Sequence, residues 1–174
     1  MQRKKVVVIG PESTGKSTLC AALAAHYRTG WVREYAREYL EEHGMGYRYE
    51  DLALIASRQL ENEDRAAGEG PALLFIDTDL YVIKVWSEYV FGRCETWVLE
   101  EIARRRYDAY LLCKPDLPWA EDPLREYPDP HVRWRLYHIY RDLLINQKVP
   151  WAEIGGEADE RVRNGIAAVG RLLQ

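Results

Sequence analysis

Short apolar runs alternate with longer amphipathic stretches along the whole chain. Residues 6–9 are four consecutive apolar residues, Val6, Val7, Val8 and Ile9, the pattern of a strand covered on both faces. Residues 17–27 follow with a helical composition rich in Ala and Leu. Residues 31–34 predict a second short strand that runs into a helix over about 35–42, ended by Gly44 and Gly46. Between residues 50 and 67, Leu52, Ile55, Ala56, Gln59 and Leu60 recur at helical spacing and mark the clearest amphipathic helix. Pro71 breaks the chain before residues 72–76, a fully apolar strand that ends in Asp77. Asp79 is placed to cap a helix reaching about residue 89, with Gly92 just beyond it. Residues 95–106 read as helix, 110–113 as strand, 131–146 as helix, 151–154 as a last strand and 157–173 as the closing helix. Strands alternating with helices predict an α/β fold with a five-stranded, mostly parallel sheet. No repeat or interdomain linker interrupts the pattern, and 174 residues suit a single domain.

One segment breaks the regularity. Residues 114–130 have no periodic pattern and hold five of the eight prolines: Pro115, Pro118, Pro123, Pro128 and Pro130. A structureless stretch of that length is characteristic of a lid or binding loop, a plain surface excursion being the alternative.

Composition narrows the function classes. Lys and Arg total 24 against 28 Asp and Glu, for a net charge of −4, which lacks the basic footprint of a nucleic-acid binder. Cys20, Cys94 and Cys113 form no Cys-x-x-Cys pair and leave one unpaired in any disulfide scheme, as suits a reducing compartment. The basic opening, from Met1 and Gln2 to Lys5, precedes an apolar run too short for a signal peptide. No run approaches the roughly 18 apolar residues of a membrane helix. The expectation is a cytoplasmic protein with small-molecule partners, no nucleic acid and no membrane insertion, and with a homo-oligomer left open.

The chemistry begins at Gly10-Pro11-Glu12-Ser13-Thr14-Gly15-Lys16-Ser17, which fits the G-x-x-x-x-G-K-[ST] pattern between a strand and a helix. Its glycines let successive N–H groups turn toward phosphate oxygens, and the helix that follows adds its positive end. Lys16 is placed to neutralise the β and γ phosphates of ATP, and the Ser17 hydroxyl to ligate Mg²⁺. Asp77, closing a buried strand, is the matching acidic residue for the metal. The fold class is therefore a P-loop NTPase of the nucleoside- or nucleotide-kinase kind, with a proline-rich lid. A GTPase would show Asn-Lys-x-Asp and Asp-x-x-Gly, but Asn146 is followed by Gln147 and Asp77 by Thr78-Asp79-Leu80.

The loop through Thr18, the run Arg33-Glu34-Tyr35-Ala36-Arg37-Glu38-Tyr39, Gln59, and Asp77-Thr78-Asp79 together resemble the NadR-type ribosylnicotinamide (nicotinamide riboside) kinases. The similarity continues through residues 86–92, Tyr110-Leu111-Leu112-Cys113-Lys114 and the flap Asp122-Pro123-Leu124-Arg125. In fused members of that family the kinase follows a nucleotidyltransferase domain, and this chain reads as the stand-alone form. Arg104-Arg105-Arg106 has no counterpart in the family pattern and reads as cations completing a helix turn. The resemblance implies transfer of the γ-phosphoryl of ATP to the 5′-hydroxyl of nicotinamide riboside, as a step of NAD salvage. The alternatives are a kinase for another nucleoside or deoxynucleoside, or an ATP-binding regulatory module without catalysis.

Candidate residues follow. Gly10, Glu12, Ser13, Thr14, Gly15, Lys16, Ser17 and Thr18 form the nucleotide-binding loop. Arg125 is the first candidate for a lid arginine and Arg133 the second, a solvated surface arginine being the alternative for each. Glu34, at the end of a strand, is assigned as the base for the acceptor hydroxyl and Asp77 mainly to Mg²⁺, with the swapped roles as the alternative. A pyridinium acceptor carries a positive charge that aromatic faces favour. Trp31 and Tyr35 flank Glu34, and Trp86 and Tyr89 share a helix face, though such rings equally fill cores. Asp79 either pairs with ribose hydroxyls or caps its helix. Arg37 and Gln59 are weaker acceptor candidates. His26, His43, His131 and His138 lack metal-ligand spacing.

Overall fold

The computed structural model describes residues 3–68 and 72–174. Pro71, Met1 and Gln2, which enter the sequence reading, lie outside the described residues. The chain runs β1 (Lys4–Ile9), α1 (Lys16–His26), β2 (Trp31–Val32), α2 (Tyr35–His43), α3 (Tyr49–Gly68), β3 (Leu73–Asp77), α4 (Leu80–Phe91), α5 (Thr96–Arg104), β4 (Ala109–Cys113), α6 (Pro130–Ile145), β5 (Trp151–Ile154) and α7 (Ala158–Leu172). The five strands form one sheet in the order β2-β3-β1-β4-β5, and every pairing is parallel.

The continuous apolar run of β1 explains its place at the centre of the sheet. Val6 and Val8 bury into a core closed by α1 and α7, while Val7 and Ile9 face a second core closed by α4 and α6. A third cluster joins α2, α3, α4 and α5 beyond the β2 edge. In such sheets the two directions of chain winding open a crevice at the carboxyl ends of the strands, where ligands bind. Here that crevice lies over β1, between β3 and β4.

Two boundaries differ from the sequence reading. The strand expected over 31–34 is only Trp31–Val32, because Glu34 already occupies the N-cap position of α2. The helix expected to reach 106 stops at Arg104. Arg105 leaves it with extended backbone, and its guanidinium reaches α3, bonding Asp64 at 2.7 Å and Glu63 at 3.2 Å. Arg104 lies in the last turn and pairs with Glu101, and Arg106 donates back to the Ala103 carbonyl of that turn at 3.1 Å.

Residues 114–129 form the long segment between β4 and α6, and Pro130 begins that helix with Asp129 as its cap. Cys20, Cys94 and Cys113 are free thiols. No helix among the described residues is long and apolar enough to cross a membrane.

Candidate active site

The phosphate loop is held by its own atoms. Thr14 donates its hydroxyl to the Pro11 carbonyl at 2.8 Å, and Lys16 donates its ammonium to the same carbonyl at 3.0 Å. Gly10 adopts φ 148°, and a Cβ there would stand 2.7 Å from the Cys113 carbonyl oxygen, so the loop passes β4 too closely for a side chain. Gly15 precedes α1 at φ 75°, and Ser13 is also left-handed at φ 56°. This curl leaves the first turn of α1 without a side-chain cap, so its N–H groups stay open to an anion.

Asp77 lies beneath the loop at the end of β3, in register with Val8. Its Oδ2 accepts the Ser17 hydroxyl, while Oδ1 is buried without a hydrogen-bond partner among the described residues. Burial, followed by the neighbouring Glu34, pushes its carboxyl above the usual range, against the pull of Lys16. A buried carboxylate oxygen left unpaired beside a hydroxyl ligand, under a lysine, suits a divalent cation held mostly by phosphate and water oxygens. Among the described residues no group of three or more His, Cys, Asp and Glu forms a metal site of its own.

A cavity of about 230 Å³ opens from the loop. The loop forms one wall, and Glu34, Arg37, Trp86 and Tyr89 contribute from α2 and α4. The lid supplies Leu124, Arg125, Glu126 and Tyr127, and α6 supplies Leu136 and Tyr140. Glu34 reaches this space because its side chain does not cap α2; instead it accepts the Thr78 hydroxyl at 3.3 Å. Tyr89 meets Tyr127 edge to face at 5.4 Å, and Trp86 donates its indole N–H to the Tyr47 hydroxyl at 2.9 Å. That hydroxyl donates in turn to Glu126.

The lid rests on the loop. Glu12 accepts the backbone N–H groups of Glu126 and Tyr127 at 2.9 and 3.1 Å. Desolvation raises the Glu12 pKa, partly offset by those two bonds. Ser13 accepts the Ala120 N–H at 3.0 Å, and Arg125 donates to the Ala120 carbonyl at 2.6 Å. Arg133 is buried and clamps both sides, donating to the Ser13 carbonyl at 2.8 Å and the Leu117 carbonyl at 3.1 Å. The Trp119 ring centre is 5.9 Å from the Arg125 guanidinium and 5.8 Å from that of Arg133. Arg37 pairs with Asp122 of the lid at 2.6 Å.

The structure therefore brings Lys16, Glu34, Arg37, Trp86, Tyr89 and Arg125 to one cavity. It places other candidates elsewhere. Trp31 packs against the β1–α1 core, with the Arg33 guanidinium 5.6 Å from its ring. Tyr35 packs on the α2–α3 cluster. Asp79 takes the capping role of the two read from sequence, accepting the Tyr81 N–H at 3.0 Å and the Tyr110 hydroxyl at 2.7 Å. It is buried, with a carboxyl pushed up to about 7, and does not line the cavity. Gln59 is buried and bonds only backbone in the described structure. Glu126, Tyr127 and Tyr140 went unread. Tyr127 stands two residues beyond Arg125 in the proline-rich segment, a signal that was available, whereas Tyr140 sits in a helical pattern indistinguishable from core.

A family model described as an AAA domain matches residues 5–161. The trifunctional NAD biosynthesis/regulator protein NadR of Salmonella typhimurium is 29% identical over 160 residues, covering 90% of this chain and 39% of that protein. The chain thus spans well under half the length of that relative. Two solved structures of a NadR protein, one in complex with NAD and AMP-PNP and one with NR, superimpose with TM-scores of 0.79 at 26% identity. They cover 99% of this chain, which matches 50% and 52% of theirs. A thymidylate kinase from Ehrlichia chaffeensis, 13% identical with a TM-score of 0.70 and full coverage of both chains, shares the fold.

Proposed function

The chain belongs to the AAA domain family, and from that premise we propose that it is an ATP- and Mg²⁺-dependent kinase phosphorylating the 5′-hydroxyl of nicotinamide riboside. The product is nicotinamide mononucleotide. The observation that carries the reading is the cavity itself, which runs from the phosphate loop to a chamber walled by aromatic rings and carboxylates. Trp86, Tyr89, Tyr127 and Tyr140 offer ring faces or edges, and Glu34 and Glu126 offer negative charge. That lining suits a flat cation better than a neutral base, each cation–ring contact contributing about 0.5–2 kcal/mol. The NadR structures with NR and with AMP-PNP support the same pair of substrates.

In this mechanism the loop N–H groups and Lys16 hold the ATP phosphates. Glu34 accepts a hydrogen bond from the acceptor hydroxyl and takes its proton as the oxygen attacks the γ-phosphorus. The new P–O bond forms as the bond to the β-phosphate oxygen breaks, and ADP leaves. Ser17 and Asp77 are the residues that would hold Mg²⁺, which supplies charge neutralisation on the phosphates when bound. Arg125 adds positive charge from the lid, and Arg133 fixes the lid to the loop. Closure excludes water, which would otherwise take the phosphoryl group.

Acceptor-dependent ADP release from Mg·ATP tests the reading, with nicotinamide riboside run beside uridine, adenosine, thymidine and deoxycytidine. A large preference for the cationic riboside is expected. Preference for a neutral nucleoside would keep the phosphate chemistry and discard the aromatic-cation argument. No stimulation by any acceptor would leave a nucleotide-binding regulatory module. Glu34→Gln should lower kcat by about a hundredfold while ATP binding persists.

A further inference from the structure

Gln59 sits in the middle of α3, 2% exposed, and is not among the residues that line the cavity. Its amide joins the start of α2 to the end of β3. Oε1 accepts the Tyr35 N–H at 2.8 Å, and Nε2 donates to the Thr78 carbonyl at 3.0 Å and the Asp77 carbonyl at 3.4 Å. We propose that Gln59 is a positioning residue that sets the separation of Glu34 and Asp77, the two carboxylates on which the kinase reading rests.

Two further features support this. Tyr35 is the first residue of α2, whose N-cap position Glu34 holds without a side-chain cap. Gln59 satisfies that N–H from outside the helix and so fixes the Glu34–Tyr35 peptide on which the Glu34 carboxylate is carried. Thr78 is a non-glycine residue at φ 73°, a strained conformation that persists only where its surroundings enforce it. Gln59 holds the Thr78 carbonyl, Val8 accepts the Thr78 N–H at 3.0 Å, and the strained residue then aims its hydroxyl at Glu34. One amide thus fixes Glu34 by two routes and Asp77 by a third. It is the right group because an amide carries acceptor and donors on one planar end.

Two variants test the proposal. Gln59→Met removes the polar end, and Gln59→Glu keeps the acceptor for Tyr35 but has no donor until it is protonated. Both should lower kcat by about tenfold or more, with the ATP KM within about threefold of wild type. For Gln59→Glu, the ratio of variant to wild-type kcat should rise as pH falls from about 8 to 6, since a protonated carboxyl regains one donor. Amide hydrogen exchange is read in parallel and should quicken at Thr78 in both variants and at Tyr35 in Gln59→Met, with Leu111 in β4 unmoved. Wild-type kcat, a flat ratio and unchanged exchange would overturn the proposal. Quickened exchange in a protein whose wild type shows no acceptor-stimulated turnover would leave the positioning role standing and remove the kinase reading instead. If Gln59→Met does not fold, Gln59→Glu carries both readouts.

Discussion

In the phosphate loop, Thr14 and Lys16 bind a carbonyl three and five residues away. Around the acceptor cavity the corresponding contacts join distant segments: Thr78 to Glu34 across 44 residues, Tyr47 to Glu126 across 79, Arg37 to Asp122 across 85 and Glu12 to Tyr127 across 115. The first region is a local object that its own backbone specifies. The second exists only when sheet, lid and α6 have assembled. A local site tolerates disturbance elsewhere, whereas an assembled one inherits every loosening of its parts. Glu12 belongs to both, being a loop residue whose carboxylate receives the lid.

Breaking the local region should have the largest effect. On the proposed reading the Lys16 ammonium faces the ATP phosphates, and Lys16→Ala should lower kcat/KM for ATP by at least about a hundredfold. The Tm should stay close to wild type, since Lys16 makes a single bond to the neighbouring Pro11 carbonyl. Steady-state kinetics beside a thermal melt would separate the two.

Glu12→Gln probes the joint. A neutral amide is a weaker acceptor for the two lid N–H groups, and a charged hydrogen bond contributes about 1.5–3 kcal/mol. A loss of about tenfold in kcat/KM is expected, with faster proteolysis between residues 114 and 130. Unchanged proteolysis would show that the remaining contacts, those of Ser13, Arg37, Tyr47 and Arg133, hold the lid without Glu12.

Asp77→Asn opposes function to stability. The Asp77 pKa is raised in the folded chain by burial and by Glu34. The folded state therefore keeps a proton that the unfolded chain has released, and stability declines as pH rises from the unfolded value through the folded one. Removing the charge should raise Tm by about 3 °C at pH 8, with the gain vanishing near pH 4, where the unfolded chain is protonated too. Activity should fall in the same variant.

The smallest effect is expected for Arg37→Ala. Arg37 and Asp122 form an exposed pair, which contributes at most about 1 kcal/mol, so turnover should change by no more than about fivefold. A double-mutant cycle with Asp122→Asn measures the coupling directly.

The order of elements and the parallel sheet were legible because the apolar runs of β1, β3 and β4 are continuous, as strands buried on both faces require. The phosphate loop was legible for a related reason: its function needs fixed residue types at fixed spacing. The acceptor wall was less so. Trp31 and Trp86 both neighbour candidate carboxylates in sequence, yet one packs on the β1–α1 core and the other lines the cavity. Asp79 and Gln59 carry the same chemistry as true ligands, and burial alone turned them into a helix cap and a backbone clamp.

By itself, then, the sequence determined what is encoded over short range: strand and helix periods, the glycine-rich loop between β1 and α1, and the carboxylate that ends β3. Tertiary structure decided which side chains meet. A parallel sheet brings together residues tens of positions apart, and an aperiodic lid has no period from which its facing residues can be read. Its contacts to Glu12, Ser13, Arg37 and Tyr47 exist because folding places those surfaces opposite one another.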